Sequence, residues 1–190
     1  MNPIEDPTDS ELASRAAAGD KPAFTLLMQR HKSWVHRFCL RYVSEADAAF
    51  DVTQETFVSA WRSIDRFDNS RPWTTWLRAI ALNKCRDRGR REVVRRAIRG
   101  VLGAEAEETL AHADPSPNPE EQLVEVESTR QISQAIARLP ERLKEQLLLT
   151  CFDGLSHAEA ASLLGVTPKT IETRVYRARR KLAEQLRLRE

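Results

Sequence analysis

The chain has 190 residues, 41% of them apolar, enough to bury one ordinary core or two small ones. Charged residues reach 31% while aromatics stop at 6% and glycine is sparse, which favours helices over a loop-rich or all-β chain. No apolar stretch approaches the roughly 20 residues of a membrane span. Cys39, Cys85 and Cys151 are too scattered for a disulfide scaffold or a cysteine-rich zinc site.

The first eleven residues are acidic and carry two prolines, unlike a secretion signal, so a reducing cytoplasm is the expected setting. The net charge of +2 hides a strong segregation. Residues 84–99 hold eight Lys or Arg against two acids, and residues 169–190 hold eight against three. Between them, residues 104–127 contain eight acids and no Lys or Arg. Two one-sided basic blocks suggest contact with a polyanion, with solvated helix faces as the competing reading.

A short first helix is predicted around Glu11 to Ala18. Asp20 with Pro22 then opens a second, in which Phe24, Leu27, Met28, His31, Val35, Phe38 and Tyr42 recur at three- and four-residue steps. Ser44 is expected to cap a third helix, with Ala48, Val52, Phe57, Ala60, Trp61 and Ile64 facing inward. Residues 65–71 read as a polar loop, after which Trp73, Trp76, Leu77 and Ile80 begin a fourth helix that runs into the first basic block.

Residues 100–119 carry Gly100, Gly103 and the run Asp114-Pro-Ser-Pro-Asn-Pro119, a composition that favours an extended or disordered linker. The expected organisation is all-α: a four-helix N-terminal domain over 1–99, a flexible acidic linker over 100–119 and a C-terminal domain over 120–190. Asn118, Pro119, Glu120 and Glu121 make a helix start whose stripe includes Leu123, Ile132, Ile136 and Leu139, and Pro140 restarts the chain as a helix ending near Phe152.

The strongest local pattern follows. Ser156 and Glu159 form a capping box, Ala160, Leu163 and Leu164 sit at helical spacing, and Gly165 suits the left-handed residue that ends a helix. Thr167 caps a last helix with Pro168 in its first turn, completing a predicted helix-turn-helix. On that helix Ile171, Val175, Ala178 and Leu182 share one face, with Lys169, Thr173, Tyr176, Arg177 and Arg180 opposite. Short polar side chains ahead of long cations suit a helix that reads base edges first and grips phosphate behind.

Aromatics beside cations also suit single-stranded DNA, because bases stack on the rings. Core packing is the better reading for Trp76, while for Trp73 packing and stacking are evenly matched; Trp34 and Trp61 are assigned to the core. His31, His36 and Cys39 do not converge on one helix face, so no metal is expected. No phosphate loop or nucleophile motif points to an enzyme or to a cofactor.

The run Asp51-Val-Thr-Gln-Glu-Thr-Phe57, then Ala60-Trp61, Thr75-Trp76-Leu77, Ile80-Ala81, Asn83, Asp87 and Arg90-Arg91 resembles the second conserved region of bacterial sigma factors. Gly154-Leu-Ser156, Glu159, Leu164-Gly-Val-Thr167, Thr170-Ile171 and Arg174-Val-Tyr-Arg-Ala-Arg179 resemble their fourth region. With two such regions and a short connection, the chain resembles the extracytoplasmic-function (ECF) subfamily.

The resemblance implies that Asp51, Gln54 and Glu55 dock on the β and β′ subunits of core RNA polymerase. It implies contacts to an unstacked −10 element from Phe67, Asn69, Trp73, Trp76, Asn83, Arg90 and Arg91. It also implies −35 duplex recognition by Lys169, Thr170, Glu172, Thr173, Arg174, Arg177 and Arg180, with the acidic linker threading the polymerase. An anti-sigma factor is the expected regulator, and a monomer without membrane contact the expected state.

Two positions depart from the family pattern. Phe50 replaces a usual acid, as a partner-facing or a core residue. Glu172 replaces a frequent Arg or Lys, and a carboxylate accepts from cytosine N4 but repels phosphate, so an altered −35 preference is expected. The alternatives are an autonomous helix-turn-helix regulator, which binds duplex alone and usually as a dimer, and a nucleic-acid-processing enzyme.

Overall fold

A computed structural model describes residues 6–101 and 131–187. The helices, in chain order, are α1 (Asp9–Ala17), α2 (Lys21–Val43), α3 (Ala46–Arg62), α4 (Trp73–Val101), α5 (131–137), α6 (Glu141–Leu147), α7 (His157–Leu164) and α8 (Pro168–Arg187). A 3₁₀ turn at Ile64–Arg66 follows α3, and a π-helical turn at Leu148–Phe152 follows α6. No helix among the described residues is long and apolar enough to cross a membrane. The predicted acidic linker and the helix start near Asn118 lie outside the described residues.

Local chemistry sets the helix ends of the N-terminal bundle. Thr8 and Glu11 form a capping box on α1, and the Asp20 carboxylate accepts from the Ala23 N–H at 3.0 Å with Pro22 in the first turn of α2. Ser44 behaves differently from the expectation. It ends α2 in the left-handed conformation (φ 62°), its N–H donating to the Leu40 carbonyl, and Glu45 stands at the start of α3 without a side-chain cap. The tight turn between two packed helices needs that left-handed residue more than it needs a serine cap.

Leu12, Leu27, Phe38, Val52, Phe57, Leu77 and Leu82 bury themselves between α1, α2, α3 and α4. Cys39 of α2 and Cys85 of α4 are free and meet in this core, Sγ to Sγ 3.9 Å. The C-terminal domain closes around Ile136, Leu148, Leu149 and Ile171, with α8 packed against α6 and α7. Ile132, predicted to face inward, is exposed, whereas Ile136 and Leu139 are buried. The two domains touch: α6 and the π turn rest on the C-terminal part of α2 and on α4.

Candidate nucleic-acid and partner interfaces

The helix-turn-helix forms as its sequence dictates. The Ser156 hydroxyl and N–H both donate to Glu159 Oε2, at 2.7 and 2.8 Å, and hold the Glu159 carboxyl below its ordinary range, while the Glu159 N–H donates back to Ser156 Oγ at 3.2 Å. Gly165 ends α7 at φ 65°, a conformation a Cβ would strain. Thr167 Oγ1 accepts from the Thr170 N–H at 3.2 Å at the start of α8. Ile171, Val175 and Ala178 are buried against the domain, which fixes the opposite face of α8 outward.

On that outer face Lys169, Glu172, Thr173, Tyr176, Arg177 and Arg180 are exposed, and Thr170 and Arg174 half-buried. Lys169 Nζ lies 2.9 Å from Glu172 Oε2, and this ammonium holds the Glu172 carboxyl low. The first turn therefore presents a paired donor and acceptor rather than a lone cation. Thr173 Oγ1 donates to the Lys169 carbonyl at 2.9 Å, and Arg180 reaches Glu184 at 3.4 Å. Tyr176, 67% exposed, adds an aromatic ring to the basic stripe.

A second surface lies between α3 and α4. Asp51 and Gln54 are exposed and Glu55 half-exposed, along an open groove also lined by Val58, Ser59, Arg62, Lys84 and Arg91. Arg88 reaches Asp51 at 3.4 Å and Arg91 reaches Glu55 at 3.5 Å. Phe50 is 57% exposed beside them, which excludes the core reading. The groove thus sets exposed apolar side chains, Phe50 and Val58, among acids whose ion pairs are surface pairs of small energy.

The third site is an aromatic corner where the 65–71 loop meets the start of α4. Phe67, Trp73 and Trp76 have ring centroids 5.0–5.2 Å apart, and Phe24 bridges Trp73 to Trp61. Trp73 is only 3% exposed and Trp76 is half-buried, the reverse of the sequence ranking. The helix starts at Trp73, so its ring points back under the loop onto Phe24 and Phe67, a tertiary contact invisible to helical spacing. Trp73 Nε1 is buried without a hydrogen-bond partner, an orphaned donor held in place by packing.

Asn69 is exposed at the loop tip, tied to α1 by a bond from Ser10 Oγ at 3.4 Å and by its own Nδ2 donating to Ser14 Oγ. Asp68 accepts from the Ser70 N–H at 2.9 Å, which tightens the loop and holds its carboxyl low. Asn83 and Arg90 are exposed along α4, Arg90 paired with Asp87. Trp34 and Trp61 are partly buried and pack on the core. His31 is engaged structurally, Nε2 at 2.7 Å from Asp9 and Nδ1 accepting from Trp34 Nε1 at 3.0 Å. No group of three or more His, Cys, Asp or Glu among the described residues is arranged to hold a metal ion.

The interdomain charge pairs, Arg86 with Glu145 at 2.6 Å and Arg78 with Asp153 at 3.2 Å, and the π turn were missed by sequence reasoning. Lys144-Glu-Gln146 carries the pattern of an exposed helix face, so only the fold reveals its burial.

Two family models match: Sigma-70 region 2 over residues 27–95 and Sigma-70 region 4 over residues 129–182. The chain is 39% identical to the RNA polymerase sigma factor NccH of Alcaligenes xylosoxydans xylosoxydans, over 96% of this chain and 97% of that one. It is 33% identical to the ECF RNA polymerase sigma-E factor of Haemophilus influenzae, covering 94% and 95%. The solved structure of CnrH in complex with the cytosolic domain of CnrY superposes with a TM-score of 0.69 at 30% identity, over 96% of this chain and 99% of that one. The capped helix-turn-helix, the acidic groove and the aromatic corner thus sit in a chain that belongs to the sigma-70 family and its ECF subfamily, a transcription initiation factor rather than an enzyme.

Proposed function

We propose that this sigma factor divides its work among the three surfaces. The outer face of α8, with Lys169, Thr170, Glu172, Thr173, Arg174, Arg177 and Arg180, reads the −35 duplex in the major groove. The observation that carries this reading is the inward lock of Ile171, Val175 and Ala178, which leaves the cations of α8 facing solvent. The Lys169–Glu172 pair offers an acceptor for cytosine N4 next to a donor.

In the N-terminal domain the groove bearing Asp51, Gln54 and Glu55, with Phe50 at its edge, docks on core RNA polymerase. Half-buried Phe67 and Trp76 supply the stacking faces for an unstacked −10 base, backed by buried Trp73, with Asn69, Asn83, Arg90 and Arg91 around them. The residues at 1–99 and 120–190 act as separate promoter-binding domains joined by the acidic linker over 100–119. The setting is the cytoplasm. Control by an anti-sigma factor follows from the likeness to CnrH, solved in complex with the cytosolic domain of CnrY.

Pull-down of core polymerase by the full chain, alongside footprinting of duplex DNA, tests the reading. Binding to core with promoter protection only in the joint complex is expected. Failure to bind core together with protection of palindromic duplex sites by the free protein would replace it with the autonomous regulator.

A further inference from the structure

Cys39 and Cys85 are a pair of nucleophiles to which none of the three surfaces gives a task. They come from α2 and α4, 46 positions apart, both fully buried, with their Sγ atoms 3.9 Å apart and the Cys85 thiol donating to Cys39. Both thiols are free. A single buried cysteine packs as a small apolar side chain. Two that face each other from separate helices also have the arrangement from which a disulfide closes, since about 1.9 Å of approach brings the sulfurs to a bond of about 2.05 Å.

The hydrogen bond also makes the two thiols unequal. It holds the Cys39 thiol below its ordinary range, against the effect of burial, and pushes the Cys85 thiol up. The side-chain charges that bear on the pair come from the C-terminal domain: Asp153 disfavours a thiolate at Cys39, while Lys144 favours and Glu145 disfavours one at Cys85. Cys39 is therefore the better nucleophile of the two, and Cys85 stands where it can resolve what Cys39 forms. Cys151 is the contrasting case, exposed, with its sulfur against Arg179 and Thr150 instead of a thiol.

We propose that Cys39 and Cys85 are a reversible dithiol–disulfide pair, closed by hydrogen peroxide, that staples α2 to α4. The Cys39 sulfur attacks one peroxide oxygen, the O–O bond breaks, and a sulfenic acid forms as the first water leaves. The Cys85 sulfur then attacks the Cys39 sulfur, the S–O bond breaks, and the S–S bond forms while the Cys85 proton leaves with the hydroxide as a second water. Two thiols lose two electrons, and one hydrogen peroxide is reduced to two waters. Because both sulfurs are buried, a small neutral oxidant arriving during local opening is what reaches them. Under reducing conditions the pair rests as the dithiol, and small thiols reopen the bond by exchange. This chemistry depends on the two cysteines alone and stands apart from the promoter-binding reading.

Hydrogen peroxide added to the folded full chain carrying Cys151→Ser, followed by alkylation in denaturant and peptide mapping, tests this. The expected result is a loss of about 2 Da, a linked Cys39–Cys85 peptide and unchanged helicity by circular dichroism. The urea midpoint of the N-terminal domain should rise on oxidation and return with dithiothreitol, because the bond closes a long loop of the unfolded chain. Cys85→Ala in the same background should stop at a Cys39 sulfenic acid trapped by dimedone; if that variant unfolds, mapping of the protein that keeps both cysteines decides alone. Both thiols still open to alkylation after peroxide, sulfinic acid or cross-links between chains in place of the linked peptide, linkage that forms only in urea, or a linked chain whose midpoint does not rise would overturn the staple.

Discussion

The two basic segments carry nearly equal charge in sequence and opposite fates in the fold. Along α4 most of the described cations have acidic partners: Arg78 has Asp153, Arg86 has Glu145, Arg88 has Asp51 and Glu45, Arg90 has Asp87, Arg91 has Glu55 and Arg95 has Glu92. Along α8 only Lys169 and Arg180 have acidic partners among the described residues, both on the same helix, and Arg174, Arg177 and Lys181 have none. A charge run therefore reports potential contact with a polyanion, whereas pairing in the fold determines which charges are free to make it. In the structure the cations of α8 face solvent, whereas most of the described cations of α4 are engaged by acids of both domains.

The contrast breaks most completely if the inward lock of α8 is removed. Ile171→Ala, at a fully buried position, should cost about 2–5 kcal/mol and melt the helix-turn-helix with its DNA binding. Urea unfolding followed in both domains checks it, the N-terminal domain keeping its helices. Next in size, Arg177→Ala should weaken −35 duplex binding by about 1–3 kcal/mol and lower the slope of log affinity against log salt by about 1. Arg91→Ala, removing a paired cation, should leave both nearly unchanged in the free protein. Equal effects of the two substitutions in a fluorescence titration would erase the distinction between the segments.

Glu55→Lys sharpens the other side of the comparison. It places a cation where Arg91 now finds its acid, and should lower affinity for core polymerase by about tenfold, about 1.4 kcal/mol, with duplex binding intact. A smaller effect is expected at the cap of α7, where Ser156→Ala should cost about 1 kcal/mol. The folded pKa of Glu159 lies below its unfolded value of 4.5, so the stability it contributes is complete above that pH. That contribution should be lost as pH falls through the lower folded value, and a pH series of thermal melts should show the C-terminal domain weakening there in wild type and less so in Ser156→Ala.

Features fixed by local chemistry were legible in the sequence. The capping box of Ser156 and Glu159, the left-handed Gly165, the Thr167 cap and the inward stripe of Ile171, Val175 and Ala178 each depend on residues within a few positions of one another. What escaped depends on distant partners. Ser44 ends a helix rather than starting one because of how α2 and α3 pack, and Trp73 is buried because Phe24 and Phe67 close over it. Phe50 could be assigned to either side of α3 until the bundle showed it facing solvent. The burial of Lys144 and Glu145 left no local signal, because their partners, Tyr42 and Arg86, are 102 and 59 positions away.

Run-off transcription by core RNA polymerase supplied with the purified full chain, on a template library randomised at both promoter elements, tests the central claim most directly. The account predicts specific transcripts that require the added chain, with templates enriched at both −35 and −10 and the −35 enrichment lost in Arg177→Ala. Transcription no greater than that of core alone, or enrichment at a single palindromic duplex site, would contradict it.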